Sequence, residues 1–305
     1  MQSTFWETYL RFCQSSSNRR RIESFLFRYF KGYARVPARL NARKRWAMFN
    51  DVDVEEVFTF LSERSRAPST SPQLRRSATK IWAALVSELP NVFSRFGPNQ
   101  NTRAIYKKLL KNFVRTRDTI VSFNYDTVFE DSLPASRRWH YEAVEKRLSS
   151  LSIVKPHGSV NWQDSGGSRA IEIVASPDRA LVVAPTHLKF VQAGPSTMND
   201  SSGYLDHSRQ IKEVWSSMEH EMREAKALIF IGYSFPAADL YFSSILRAVL
   251  ADRDGAPAVA VVNPDAVAIS ERIRQRFALS EIDIHFDLRT FVGDSRRNLL
   301  KRMGR

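Results

Sequence analysis

Four short apolar runs in this 305-residue chain each give way to side chains able to do chemistry. "TIVSF" ends in Asn124, Tyr125 and Asp126. "LSIVK" ends in Pro156, His157, Gly158 and Ser159. "ALIFI" ends in Gly232, Tyr233 and Ser234, and "AVAVV" ends in Asn263. An imidazole accepts a proton near neutral pH, and an amide offers donor and acceptor without titrating. Glycine lets backbone approach a ligand closely and turn with positive φ. Serine and asparagine offer hydrogen bonds of the kind a ribose or phosphate takes. Each residue also has a plainer explanation: Asn124 or Asp126 as the cap of a helix beginning at "TVFED", His157 as a satisfied histidine in a tight turn, "GYSF" as a bare βα turn. Singly the plain explanation suffices. At four strand ends it requires four coincidences.

The elements that must position these residues are legible in the pattern. After about residue 118, β-branched runs at 119–123, 151–155, 180–184, 227–232, 258–263 and 282–288 read as short strands, several apolar on both faces like strands of a covered parallel sheet. Helical periodicity separates the later ones, at 211–225, 237–250 and 265–279. The alternation predicts a doubly wound, mostly parallel α/β sheet, and in such a sheet the carboxyl ends of the strands are where ligands sit. Before residue 118 the texture is helical. Thr4 with Glu7 and Asp53 with Glu56 have capping-box spacing, a break falls near "CQSSSN", and "RSRAPSTSPQ" reads as an exposed loop before a helix through "KIWAALVSEL". The expected organisation is a basic helical region over 1–118 followed by a sheet domain over 119–305, the two together forming one continuous domain if the helices are an insertion.

Charge divides the chain in the same place. The net charge of +14 resides in residues 1–115, which hold 22 Lys and Arg against 8 Asp and Glu, while the remainder carries 24 of each. Runs such as "NRRR" and "ARKR" suit nucleic acid, an acidic partner or nucleotide phosphates; a solvated helix face is the plainer alternative. One cysteine, Cys13, excludes an intrachain disulfide and a cysteine-cluster zinc site. His140, His187, His207, His220 and His285 show no metal-ligand spacing, and H-E-x-x-H, P-loop and G-x-S-x-G motifs are absent. No metal is expected. Nor is a membrane span or a secretory signal, which suggests a cytoplasmic protein.

"SFNYDTVFE", "KPHGSVNW" and "IFIGYSFPAADLYF", in that order, resemble the SIR2-like domains of bacterial anti-phage defence, distant relatives of sirtuin deacylases. The resemblance implies a Rossmann-like fold that binds NAD and hydrolyses it to nicotinamide and ADP-ribose. It implies catalytic roles for Asn124 and His157, and dinucleotide contacts at Asp126, Gly158, Gly232, Ser234 and Asn263. The helical first part matches the family's helical insertion. Two departures matter. Zinc-ribbon deacylases carry four cysteines, so hydrolysis suits this chain better than deacylation. The family also begins with a strand and a glycine-rich turn whose N–H groups cradle pyrophosphate at a helix N-terminus, whereas this sequence starts at "MQSTFWETYL"; the expectation is that such a segment lies upstream of Met1. The alternative is a catalytically degenerate SIR2-like module whose basic helices bind nucleic acid or a protein. ADP-ribosyl transfer would use the same residues as hydrolysis. An activating protein or a change of oligomeric state is expected as the trigger.

Overall fold

The computed structural model of the protein describes residues 5–93, 98–142, 144, 149–164, 171–175, 180–182, 208–236, 239–253, 255–279 and 281–294. In chain order the elements are α1 (Phe5–Phe12), α2 (Ser16–Phe30), α3 (Ala42–Ala47), α4 (Val54–Arg66), α5 (Pro72–Phe93), α6 (Gln100–Asn112), β1 (Thr119–Val121), β2 (Trp139–Tyr141), β3 (Leu151–Val154), β4 (Trp162–Asp164), β5 (Ile171–Ile173), α7 (Ser208–Glu224), β6 (Ala227–Ile231), α8 (Leu240–Ala251), β7 (Ala258–Val262), α9 (Ala266–Phe277), β8 (Ile282–His285) and α10 (Leu288–Asp294). Contacts divide the chain into two units. The first comprises Met1–Gly97, Phe123–Thr127 and His157–Arg209, and the second Pro98–Ser122, Val128–Pro156 and Gln210–Arg305.

The first unit is built on α1 to α5. Their apolar faces meet in one core in which Trp6, Tyr9, Leu26, Phe27, Phe49, Phe58 and Leu85 are almost wholly buried. Two buried aromatic donors in this core are satisfied by backbone: Trp6 Nε1 donates to the Val52 carbonyl at 3.0 Å and the Tyr9 hydroxyl to that of Leu85. The break foreseen near "CQSSSN" lies between α1 and α2, where the Ser15 hydroxyl accepts from the Asn18 N–H at 3.2 Å. Asp53 caps α4, its Oδ1 accepting from the N–H groups of Glu55 and Glu56 at 2.6 and 3.1 Å. Thr4, the other expected cap, lies outside the described residues. β4 and β5 form an antiparallel pair in this unit that the sequence pattern did not reveal.

Glu88 of α5 organises that break. Its carboxylate accepts from the backbone N–H groups of Gln14 and Ser15 at 2.9 and 3.1 Å and from the amides of Asn18 and Asn91 at 3.0 and 3.3 Å. Burial alone would raise the Glu88 pKa; the hydrogen bonds from Asn18, Gln14, Asn91 and Ser15 favour the charged form more strongly and hold it below the ordinary carboxylate value of 4.5. A depressed folded-state pKa contributes stability that is complete above the unfolded value and is lost as pH falls through the folded one. Glu88→Ala should therefore destabilise the protein at neutral pH and flatten the acid limb of its stability profile below about pH 4.5, as chemical denaturation at a series of pH values will measure. An acid limb identical to that of the wild type would contradict this role.

The second unit holds two three-stranded parallel sheets, ordered β1-β3-β2 and β6-β7-β8. β7 is central in its sheet and buried along its whole length, which is why "AVAVV" is apolar on both faces. The alternation β6-α8-β7-α9-β8 is the Rossmann-like α/β architecture that the sequence predicts. α6 joins this unit: Leu109 and Phe113 pack with Ala260, Val262, Phe291 and Val292, the rings of Phe113 and Phe291 stacking at 4.5 Å. The helix that the plainer reading placed at "TVFED" is a 3-10 turn, Glu130–Ser132, closed by local hydrogen bonds. Of the strand expected at 180–184, Val182 forms a bridge to Gly158, and residues 183–184 lie outside the described residues.

Candidate active site

β1 and β3 are paired in parallel, so the chain leaves both at the same end: Ser122 N–H donates to the Val154 carbonyl at 2.8 Å, and the residues that follow are 123–126 and 155–158. Residues 123–125 and 157–160 then run side by side within the first unit. His157 Nδ1 lies 3.2 Å from the Phe123 carbonyl oxygen, and the Tyr125 carbonyl accepts from the Val160 N–H at 3.0 Å and the Ser159 hydroxyl at 3.3 Å. A carbonyl only accepts, so the imidazole donates from Nδ1, and in its neutral form the lone pair is on Nε2. The rings of Phe123 and Tyr125 flank the imidazole at 5.1 and 6.1 Å.

Asn124, between the two bonded carbonyls, is exposed, and its side chain has no hydrogen bond or ion pair among the described residues. Asp126 is half-buried in the same segment. Burial, together with the Glu55 carboxylate, pushes the Tyr125 phenol well above its usual range, so that hydroxyl stays protonated at neutral pH. Gly158 sits at φ +78°, and a Cβ there would lie 2.1 Å from the Leu181 carbonyl oxygen. Close passage of residues 181–182 therefore requires glycine at this position, in addition to any ligand.

β6 and β7 gather a second set in the second unit. Gly232, exposed at φ +70°, donates its N–H to the Val262 carbonyl at 2.9 Å, next to Asn263. The Asn263 side-chain oxygen accepts from the Asp265 N–H at 3.0 Å, which leaves its NH₂ directed to no described residue. Ser234 is exposed, and its carbonyl accepts from Arg272 Nη1 at 2.5 Å. Phe235 follows at φ +50°, rare for a bulky residue; its buried ring packs at 4.8 Å on both Phe230 and Tyr233 and holds that conformation in place. The Tyr233 hydroxyl donates to Asp239, the N-cap of α8. Asn124, Asp126, His157 and Gly158 thus fall in the first unit, and Gly232, Ser234 and Asn263 in the second.

Residues 118–285 match the family described as the SIR2-like domain. The chain belongs to the SIR2-like family. No curated protein matches it. All seven predicted site residues lie inside the SIR2-like domain. Inside it too are groups that the sequence reasoning passed over. Lys155 and Glu130 flank the "PHG" and "FNYD" motifs; both are buried, with Lys155 Nζ 3.0 Å from Glu130 Oε1, which also accepts from the Tyr141 hydroxyl at 3.0 Å. A lysine closing an otherwise apolar strand, and a glutamate closing "NYDTVFE", were the available signals. Arg272, half-buried on α9, carried none.

The SIR2-like domain has a second polar feature at the amino ends of β1, β3 and β2. There a cleft of about 520 Å³ is lined by Thr119, Ser152, His140, Glu142, Ser150 and Glu221, among others. Thr119, Ser152 and His140 are register partners across the three strands. His140 is held between Ser150 at 2.7 Å and Glu142 at 3.1 Å. Among the described residues no group of His, Cys, Asp and Glu side chains is arranged to hold a metal ion. Burial and the Glu88 carboxylate push Cys13 up to about 12, so its thiol stays protonated. No helix among the described residues is long and apolar enough to cross a membrane.

Proposed function

We propose that this SIR2-like protein is an NAD glycohydrolase that releases nicotinamide and ADP-ribose, acting as the effector of a bacterial anti-phage defence system. The observation that supports the reading is the His157 Nδ1 to Phe123 carbonyl bond, which leaves Nε2 as the accepting nitrogen of the neutral ring in a segment that runs alongside the one carrying the exposed Asn124. Breaking the bond between nicotinamide and ribose develops positive charge on the sugar ring, as glycoside cleavage does. Nicotinamide leaves as a neutral amide with the bonding electron pair. A water oxygen forms the new bond to the anomeric carbon, and its proton passes to Nε2 of His157. Asn124 orients the water, the ribose or the carboxamide without titrating. The family resemblance is what proposes Asp126 and Gly158 of the first unit, and Gly232, Ser234 and Asn263 of the second, as dinucleotide contacts; within the second unit the exposed positive-φ Gly232 leaves its backbone open to close approach, and the Ser234 hydroxyl and Asn263 amide can supply hydrogen bonds. An activating protein or a change in assembly would serve as the trigger.

Incubation of the purified protein with NAD, alone and with a nucleophilic acceptor, tests the reading by chromatography. Nicotinamide and ADP-ribose in equal amounts are expected. Nicotinamide accompanied by ADP-ribosylated acceptor would replace hydrolysis with transfer, and absence of nicotinamide at high protein concentration would overturn the enzymatic reading.

A further inference from the structure

Residues 28–45, "RYFKGYARVPARLNARKR", contain seven Lys and Arg and no Asp or Glu. The segment comprises the end of α2, the following loop and α3, entirely within the first unit. It is folded back on itself: Arg45 Nε of α3 reaches Glu23 of α2 at 2.6 Å, and the Tyr33 N–H returns to the Phe27 carbonyl at 2.9 Å. Three of its cations are neutralised locally, Lys31 by Asp51, Arg43 by Glu7 and Arg45 by Glu23. Arg28, Arg35, Arg39 and Lys44 are exposed and form no ion pair among the described residues.

Two large aromatics are exposed within this charge, Tyr29 at 39% and Tyr33 at 42%. The neighbouring aromatics Phe25, Phe27 and Phe60 are buried or half-buried against the core. Phe60 supports Tyr29 at 5.3 Å and Phe27 supports Tyr33 at 5.6 Å, which fixes both exposed rings from below. The Arg28 guanidinium lies 5.6 Å from the Tyr29 centroid, joining a cation to an aromatic face. Uncompensated cations interleaved with braced, exposed rings match a flexible polyanion that carries flat bases. In a duplex those bases are stacked on each other and unavailable; in a single strand they are free to stack on tyrosine.

We propose that residues 28–45 form a binding surface for single-stranded nucleic acid, with Arg28, Arg35, Arg39 and Lys44 on the phosphates and Tyr29 and Tyr33 against the bases. The surface lies outside the SIR2-like domain match and is independent of the NAD reading. The test is fluorescence anisotropy of the full chain with a fluorescein-labelled mixed-sequence oligonucleotide, as DNA, as RNA and as the complementary duplex, over a range of salt concentrations. Four phosphate contacts on a single strand predict a contribution of about −2.8 to the slope of log K against log salt. The quadruple variant Arg28→Gln/Arg35→Gln/Arg39→Gln/Lys44→Gln should lose that part of the slope and bind at least roughly tenfold more weakly at about 0.1 M salt. Tyr29→Ala/Tyr33→Ala should lose roughly tenfold or more at unchanged slope. All six side chains are exposed, so thermal unfolding should match the wild type. Tighter binding of DNA or of RNA identifies the natural strand. An unchanged slope in the quadruple variant, or duplex binding as tight as that of either single strand, would overturn the proposal.

Discussion

Replacing His157 with alanine is expected to lower nicotinamide release from NAD by about 10²- to 10⁴-fold, the range that a positioned general base contributes. The residual rate would come from binding and from Asn124. The fold should survive. His157 is half-buried, and the bond lost to the Phe123 carbonyl contributes about 1 kcal/mol. Circular dichroism and a thermal melt will check this alongside the chromatographic assay. Free imidazole added to the variant should restore part of the rate, because the vacated space adjoins solvent; a defect that is purely structural would not respond. Turnover equal to that of the wild type would remove His157 from the chemistry.

The largest effect on stability is expected at Lys155. Its ammonium is fully buried, and its Glu130 partner retains an oxygen, Oε2, with no hydrogen-bond partner among the described residues. Lys155→Met leaves the Glu130 carboxylate buried without its counter-charge, with the Tyr141 hydroxyl still donating to it. Removing one member of such a pair typically costs about 3–5 kcal/mol, equivalent to a fall in Tm on the order of 10 °C. The double replacement Lys155→Met/Glu130→Met removes both charges and should recover most of the loss, since apolar residues of similar volume often substitute for a buried pair at little cost. Urea denaturation of the wild type, both single variants and the double variant gives the coupling directly. A double variant no more stable than Lys155→Met would show that packing, rather than charge, dominates this site.

Strand ends that look alike in sequence serve different structural purposes. Gly158 and Gly232 both follow apolar runs and both adopt positive φ, yet a Cβ at Gly158 would strike the Leu181 carbonyl, whereas one at Gly232 would meet nothing within 4 Å. Backbone conformation alone calls for glycine at 232; at 158 a second chain segment does. Likewise the Asn263 oxygen is committed to a turn, while the exposed Asn124 amide has no hydrogen bond among the described residues. Residue type suggested equivalence, and only the neighbours distinguish them.

The sequence by itself determined what depends on near neighbours. The apolar runs of β1, β3, β6, β7 and β8, the 3.6-residue periodicity of α7, α8 and α9, the break before Ser15 and the cap at Asp53 all arise from contacts a few residues apart. The short β2, the β4-β5 pair and α6 escaped notice because their apolar positions become meaningful only against partners far along the chain, as Leu109 and Phe113 do against β7. Glu88 shows the same limit: its four donors include three that lie 70 to 74 residues away. Asn124 and His157 could be named from motif and strand end, but the parallel register of β1 with β3 sets their segments side by side and selects the imidazole tautomer. Register is chosen by burial of whole strand faces rather than by any single residue, so it becomes definite only when the sheet is assembled.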